Sequence, residues 1–500
     1  MKRSLVRAVL TLTALTAATG LGWAGASPAN AEPGCQYGSN DFNQDGVVDV
    51  AVGMPGDVID GSEGPPGIVE VRVSDGDSTT VHRLRSPEPQ DGDLFGTAVA
   101  EVAASAGAAD RCSMLAVGAP GYDVEIGEGG DVGAVYLFRW DSAAEEFVDA
   151  GTFGPGRGGV PAGVNFEEGF GQALAAPYHG GGGGDGLVTP LYVGAPGYHL
   201  DSAPAAGAVY RLTFTTEGEP TVDEATFITQ DSPGVPDTAE SGDGLGTSLA
   251  AVDGGVLAGA PGESVGTADR AGGFLSWRED GDVPARFVTQ DTAGVPGTAE
   301  DGDYFGEVIY AAHEVPASSG GHYVMVGAPL EDIGTVQRAG SAIRFAYDGD
   351  VELDKVQGFN QDTPGVAGTP EVNDYFGSSF GSYGPTRVLV GVPFEDIGTV
   401  KDAGMVQGLS GDRSWHQGTA GVPGSNESYD HFGATIGNAL YGMGGPGEDG
   451  WLGDVLVGVP YEDGYGAVVA GLPGGPATPT RWSPGPSDSN DYGIAIGKTN

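Results

Sequence analysis

A short acidic loop near the start of the chain has the residue types and spacing of a calcium site. Side-chain oxygens stand at positions 1, 3, 5 and 9 of this loop, on Asp41, Asn43, Asp45 and Asp49. Gly46, at position 6, permits a sharp turn, and Ca²⁺ prefers such oxygen ligands. An EF-hand would need a glutamate at position 12, where this chain has Val52. The spacing therefore predicts a short calcium-binding hairpin loop, and a plain acidic turn is the alternative.

The chain also contains two matches to the GxSxG pattern of serine hydrolases, at 262–266 and 377–381. A chain with 92 glycines produces chance matches, and neither match has the strand-to-helix context that the nucleophile requires. The seven histidines show no metal-ligand spacing such as HExxH. The sequence thus presents no hydrolytic or redox constellation. We lean towards a binding protein and leave catalysis open.

A glycine-led tripeptide recurs through the whole chain, at intervals of 64 to 76 residues. Its copies are Gly-Met-Pro at 53, Gly-Ala-Pro at 118, 194, 259 and 327, and Gly-Val-Pro at 391 and 458. Each copy ends a short apolar run, and two further runs and an aromatic–glycine pair precede the next copy. Short β-branched runs between glycine-rich turns indicate strands. Four strands in each of seven units predict an all-β, seven-bladed β-propeller with four-stranded antiparallel blades.

The phase of the repeat predicts how the ring closes. The first tripeptide strand has no complete aromatic–glycine strand before it, and the last aromatic–glycine strand, at 492–497, has no tripeptide strand after it. The N- and C-terminal strands therefore share one blade, which removes free sheet edges. We assign 32–500 to the propeller and 1–31 to a secretory signal peptide, because Lys2, Arg3 and Arg7 precede an apolar stretch that ends in small residues.

The alternation of aromatic–glycine and Gly-Ala-Pro strands, with the acidic loop before the first of them, resembles the FG-GAP repeats of integrin α-subunit propellers and their bacterial relatives. Connectors at 289–306 and 361–377 resemble those of secreted actinobacterial members. The resemblance covers residues 35–500. It implies an extracellular binding or adhesion module, stabilised by Ca²⁺ bound to the side chains of Asp41, Asn43, Asp45 and Asp49 and to the carbonyl of Val47.

Carboxylates that follow the tripeptides form a second candidate site. The clearest are Glu331, Asp332, Glu395, Asp396, Glu462 and Asp463. Alternate connections of an antiparallel blade lie at opposite ends, so these loops and the connectors between blades share the face opposite the calcium loop. In integrin-like propellers that face binds ligands, and ordinary solvated charge is the alternative. The rival function is an extracellular hydrolase or lyase that uses these rim carboxylates. Clustering around a channel pocket would favour the enzyme, and dispersion along the rim would favour binding.

Composition limits the partners. The chain has 69 acidic residues against 21 Lys and Arg, a net charge of −48, which repels nucleic acid and anionic lipid. Beyond the signal peptide, no segment reaches the roughly 20 apolar residues that a membrane-spanning helix needs. We expect a secreted monomer that binds an extracellular protein or glycan. Cys35 and Cys112 predict one disulfide in that oxidising compartment.

Overall fold

The computed structural model describes residues 40–496 apart from 44, 46, 57–65, 75–77, 104–112, 124–129, 163–167, 178–189, 201, 216–218, 253, 280, 282, 313–321, 383–387, 410, 412, 440–453, 474–477 and 485–491. In these ranges the regular structure is β, with one 3-10 turn at Glu462–Gly464. Twenty-eight strands form seven separate four-stranded antiparallel sheets. The predicted seven-bladed β-propeller is confirmed.

Each blade runs from an inner strand, beside the channel, to an outer strand. Blade 1 consists of β28 (Ala495–Ile496), β1 (Val50–Met54), β2 (Ile68–Ser74) and β3 (Thr79–Leu84). Blade 2 consists of β4 (Ala98–Ala103), β5 (Ser113–Ala119), β6 (Ala134–Asp141) and β7 (Glu146–Phe153). Blade 3 consists of β8 (Ala173–Ala175), β9 (Leu191–Ala195), β10 (Ala208–Phe214) and β11 (Val222–Ile228). Blade 4 consists of β12 (Leu249–Val252), β13 (Gly255–Ala260), β14 (Gly273–Arg278) and β15 (Arg286–Val288).

The remaining three blades follow the same order. Blade 5 consists of β16 (Val308–Ala312), β17 (His322–Ala328), β18 (Ser341–Tyr347) and β19 (Val351–Phe359). Blade 6 consists of β20 (Ser379–Ser382), β21 (Val388–Val392), β22 (Met405–Gly408) and β23 (Ser414–Trp415). Blade 7 consists of β24 (Thr435–Ala439), β25 (Asp454–Val459), β26 (Ala467–Ala470) and β27 (Thr480–Trp482).

Blade 1 joins the two ends of the chain, as the repeat phase predicts. β28 pairs antiparallel with β1, where Val52 lies opposite Ile496. The buried Tyr492 hydroxyl donates to Glu70 Oε1 at 2.8 Å and accepts from Arg72 Nε at 3.3 Å. Four strands and a buried polar contact therefore hold the closing blade together.

The two repeated motifs meet at the contacts between blades. The aromatic or leucine side chain of each pair is fully buried: Phe95, Phe170, Leu245, Phe305, Phe376, Phe432 and Tyr492. The Phe170 N–H donates to the Val132 carbonyl of the preceding blade at 3.0 Å. A Cβ on Gly118 would lie 2.0 Å from the Gly171 carbonyl oxygen, so only glycine fits there. The motifs therefore recur because neighbouring blades approach through backbone at these points.

Candidate functional site at the channel mouth

A repeated turn delivers side chains to the channel at the start of each inner strand. In blade 5 the Asp303 carboxylate accepts the Glu300 N–H at 2.7 Å, and Tyr304 takes a left-handed φ of 55°. Phe305 is then buried between blades, and Glu307 faces the channel. Asp93, Asp243, Asp374 and Asp430 accept a backbone N–H from three residues earlier in the same way. These aspartates fix the start of each inner strand through this local hydrogen bond.

A cavity of about 290 Å³ lies on the channel axis, lined by the first residues of all seven inner strands. Its hydroxyl groups already have partners. Thr97, Thr247 and Ser378 donate to the backbone carbonyls of Leu94, Gly244 and Tyr375 at 2.7 to 2.8 Å. Small and aliphatic side chains, such as Leu174 and Ile309, form much of the remaining wall. Besides these groups, the lining contains the amide of Gln172 and the carboxyl of Glu307.

Glu307 is the one ionisable side chain among the described residues that line this cavity. Its carboxyl is half-buried, and it has no hydrogen-bond or ion-pair partner in the part of the chain that the structure describes. Burial raises the pKa of Glu307 above its usual value of 4.5. An unpartnered carboxyl in such a place can receive a positively charged or hydrogen-bond-donating group. Sequence reasoning missed Glu307, although it stands directly after an aromatic–glycine pair.

Aromatic rings from blades 6 and 7 form a row at the same end of the blades as the cavity. Tyr375 packs edge-on against Phe394 at a ring distance of 4.9 Å, Phe394 lies 4.3 Å from His431, and His431 lies 5.0 Å from Tyr461. Tyr461 is 43% exposed. None of these four rings lines the cavity itself, but the Tyr375 carbonyl accepts the N–H of the cavity-lining Ser378 at 3.3 Å. We call these four residues the aromatic row.

Two of these rings sit on unusual backbone. Tyr375 and His431 have φ values of 54° and 56°, which non-glycine residues adopt uncommonly. Blades 3 and 4 have Gly169 and Gly244 at the same place in the turn, so glycine also satisfies this fold. Leu94 in blade 2 has a φ of 55° at the same position, so this backbone conformation belongs to the repeated turn of the fold.

The predicted acidic face is less exposed than expected. Glu331, Glu395 and Glu462 are buried, and each accepts a hydrogen bond from a glutamine amide, on Gln290, Gln361 and Gln417. Asp332 and Asp396 each accept a backbone N–H at 2.8 Å, from Arg338 and Asp402, and Asp463 pairs with Arg481. None of these six carboxylates lines the cavity. They are distributed one blade apart rather than gathered around a channel pocket.

The acidic loop lies at the opposite end of blade 1, directly before β1. Asp49 is fully buried, and its carboxylate accepts the N–H groups of Phe42 and Ser74, both at 2.9 Å. Burial first, and then the charges of Asp41 and Asp45, raise the pKa of Asp49. Asp45 Oδ1 accepts the Val47 N–H at 2.8 Å, and Asp41 Oδ1 accepts the Asp45 N–H at 3.1 Å.

The oxygen donors of this loop are of the kind that a hard cation prefers, and the charges of Asp41 and Asp45 act on Asp49. Within the described ranges, however, no three His, Cys, Asp or Glu side chains converge closely enough to hold a metal ion. Calcium binding by Asp41, Asn43, Asp45, Val47 and Asp49 stays a prediction. Cys35, Cys112 and the signal segment 1–31 lie outside the described residues.

Comparison with known proteins gives no family. No family model and no characterised sequence matches the chain. Among solved structures, it is similar to a proposed 6-phosphogluconolactonase from Bacteroides uniformis, with 11% identity over 90% of this chain and 98% of that one and a TM-score of 0.43. It is also similar to a periplasmic gluconolactonase from Pseudomonas aeruginosa, with 15% identity over 89% and 98% and a TM-score of 0.39. Likeness at this level carries no inference about ligand or reaction.

No helix in the described ranges is long and apolar enough to cross a membrane.

Proposed function

We propose that this protein is a secreted binding module of the FG-GAP type, and that its ligand carries a positively charged group which enters the channel mouth. Glu307 is the observation on which the proposal depends. It is a partly desolvated carboxyl without a partner, at the wall of a cavity whose hydroxyl groups are already bonded. An incoming amine or guanidinium would supply the missing counter-charge.

The surroundings favour the same ligand class. A net charge of −48 attracts cations and speeds their encounter with the protein. The cavity, at about 290 Å³, is close to the lower end of the usual range for ligand pockets, roughly 300 Å³. It therefore suits one basic side chain of a partner or one amino-sugar unit. A partner of this kind is consistent with an extracellular protein or glycan.

The aromatic row would extend the contact beyond the cavity. Cations bind over aromatic faces with about 0.5 to 2 kcal/mol of stabilisation. Tyr304, which occupies the same turn position in blade 5, has the guanidinium of Arg270 5.7 Å from its ring centre. The chain's own arginine thus shows the kind of group that suits a ring at this position. Tyr375 and Tyr461 would receive the same groups from a ligand.

We also propose that Ca²⁺ stabilises the acidic loop through Asp41, Asn43, Asp45, Val47 and Asp49. Bound calcium would neutralise the mutual repulsion that the buried Asp49 experiences. The loop lies at the end of blade 1 away from the channel mouth, so its contribution would be to stability rather than to ligand contact. A secreted location, which this calcium use assumes, follows from the predicted signal peptide.

The binding proposal can be tested with an array of basic peptides, polyamines and amino sugars, probed with the full mature chain. We expect Glu307→Gln to lose most binding to the cationic probes that the wild type retains. Glu224→Gln, the same change on the exposed outer strand β11, is the matched control and should bind as the wild type does. Equal binding by wild type and Glu307→Gln would contradict the proposal.

A hydrolase or lyase is the second candidate, and Glu307 again favours it. A carboxyl with a raised pKa remains protonated to a higher pH and can act as a general acid. Against this, no second carboxyl or histidine lines the described part of the cavity, so the usual acid–base pair is lacking there. Turnover of glycosides or lactones that disappears in Glu307→Gln would favour the enzyme over the binding module.

A further inference from the structure

Blades 4, 5 and 6 each contain a buried cluster of one glutamine and two carboxyl groups. The glutamine ends the preceding blade, the aspartate begins the inner strand, and the glutamate follows the tripeptide. The three clusters are Gln230, Asp243 and Glu263; Gln290, Asp303 and Glu331; and Gln361, Asp374 and Glu395, all nine buried. The glutamine Nε2 donates to the glutamate Oε2 at 2.7, 2.5 and 2.6 Å respectively. The same chemistry is therefore built three times.

These clusters contain oxygens that lack partners. The amide oxygens of Gln230, Gln290 and Gln361 are buried without a hydrogen bond among the described residues, as is that of Gln417 in blade 7, and so is Oδ1 of Asp243. Each glutamine is at most 4% exposed. A buried polar oxygen without a partner is costly, so something not belonging to the chain is expected at this point.

The clusters also lack positive charge. No Lys or Arg side chain pairs with Glu263, Glu331 or Glu395 within the described ranges. Further carboxylates lie close by, and both burial and their charges act on the three glutamates. Burying like charges together without a counter-ion is strongly unfavourable.

Blade 7 shows how the same cluster is neutralised when the chain provides the charge. There Gln417 donates to Glu462, and Arg481 contacts both Glu462 and Asp463. Arg481 stands opposite Val469 in the strand register. The equivalent positions in blades 4, 5 and 6 are Phe287, Gly358 and Ser414, none of which is basic.

We infer that blades 4, 5 and 6 each bind one hard cation from solution, Ca²⁺ or Na⁺, which takes the place of the Arg481 guanidinium. Its ligands are the carboxylates of the glutamate and aspartate and the unpaired amide oxygen of the glutamine, an all-oxygen set of the kind such ions prefer. These sites lie at the channel-mouth end of the blades. They share no residue with the loop at 41–49.

The test uses calorimetric titration of the full mature chain with CaCl₂ and, separately, with NaCl, in a tetramethylammonium buffer at neutral pH. Glu395→Gln should bind one cation fewer per chain than the wild type. Glu462→Gln is the matched control, because Arg481 already neutralises that cluster, and it should bind as many cations as the wild type. The loop at 41–49 is intact in both variants, so it cancels in the comparison.

A second variant covers the case in which Glu395→Gln fails to fold. Ser414→Arg brings a guanidinium to the blade 6 position that Arg481 holds in blade 7, and it should also bind one cation fewer while remaining folded by circular dichroism. The Ca²⁺ and Na⁺ titrations decide which ion is taken up. Unchanged stoichiometry in both folded variants would overturn the inference and would leave protons as the species that neutralises these clusters.

Discussion

With cations removed, the stability of this protein should fall as the pH rises, because three glutamates hold protons in the folded state. Burial, reinforced by neighbouring carboxylates, raises the pKa of Glu263, Glu331 and Glu395 from the usual 4.5 to about 8. Between these values the folded chain binds more protons than the unfolded chain. The stabilisation is therefore fully present below pH 4.5 and is lost as the pH rises through about 8.

The slope of this loss follows from proton counting. One group that is protonated when folded and ionised when unfolded changes the free energy of unfolding by at most about 1.4 kcal/mol per pH unit. Three such groups give a limit of about 4 kcal/mol per pH unit. Below about pH 7, aspartates whose pKa is raised to about 6 or 7 add to the slope. Above about pH 7 the glutamates dominate, and Glu331→Gln, which removes one of them, should decrease the slope by about a third. The variant should also be more stable than the wild type near pH 8, because no charge is then buried at that position.

Urea unfolding in EDTA at several pH values between about 7 and 8 measures the slope due to the glutamates. Glu224→Gln on the outer strand is the control and should keep the wild-type slope. A wild-type stability that rises with pH over this range, or an unchanged slope in Glu331→Gln, would refute the reasoning. Adding Ca²⁺ should flatten the wild-type slope, since a bound cation would stabilise the ionised glutamates.

Three further predictions concern the fold and the loop. Gly259→Ala should cost about 3 kcal/mol or more by urea unfolding, because its Cβ would lie 2.0 Å from the Gly306 carbonyl oxygen. Gly266→Ala is the control, because its Cβ would lie in open space and only its φ of 64° is unfavourable, so it should lower the free energy of unfolding by only about 1 kcal/mol. Equal losses of stability in the two variants would contradict the packing argument. Asp45→Ala should abolish calcium binding at the acidic loop, seen as a reduced calcium-dependent rise in Tm, whereas a full rise would remove the loop as a site. Tyr492→Phe should lower the free energy of unfolding by about 1 to 3 kcal/mol, because Glu70 loses a buried donor at 2.8 Å. The variant should also be cleaved faster by proteases at the C-terminus, and an unaltered rate of proteolysis would show that this contact does not hold the closing strand.

The architecture could be predicted because it depends on local, repeated features. Glycines at fixed intervals mark the points where backbones approach, as at Gly118 and Gly171, and their phase alone gives the shared closing blade. The capping role of Asp303 was also predictable, since its partner is three residues away. Each of these contacts is either local or repeated in every blade.

The burial of the post-tripeptide glutamates could not be predicted in the same way. Glu331 accepts from Gln290, 41 residues earlier, and nothing in a local pattern connects the two. The sequence pattern therefore predicted that Glu331 and Glu395 lie on an exposed rim of the propeller. Glu307 was missed for a different reason. Aligning the seven residues that follow the aromatic–glycine pairs would have isolated it, because the others are Thr97, Gln172, Thr247, Ser378, Ala434 and Ile494.

The residues that differ between blades indicate the functional site better than the residues that all seven blades share. Seven equal blades would give a symmetric channel that could not orient a ligand. Blade 5 supplies Glu307, and the adjacent blades 6 and 7 supply the aromatic row, so the mouth has a charged side beside an aromatic side. The inferred cations of blades 4 to 6 lie at the same end, whereas the loop at 41–49 lies at the other. If EDTA weakens ligand binding and Asp45→Ala does not, the cations that matter for binding are those of the mouth.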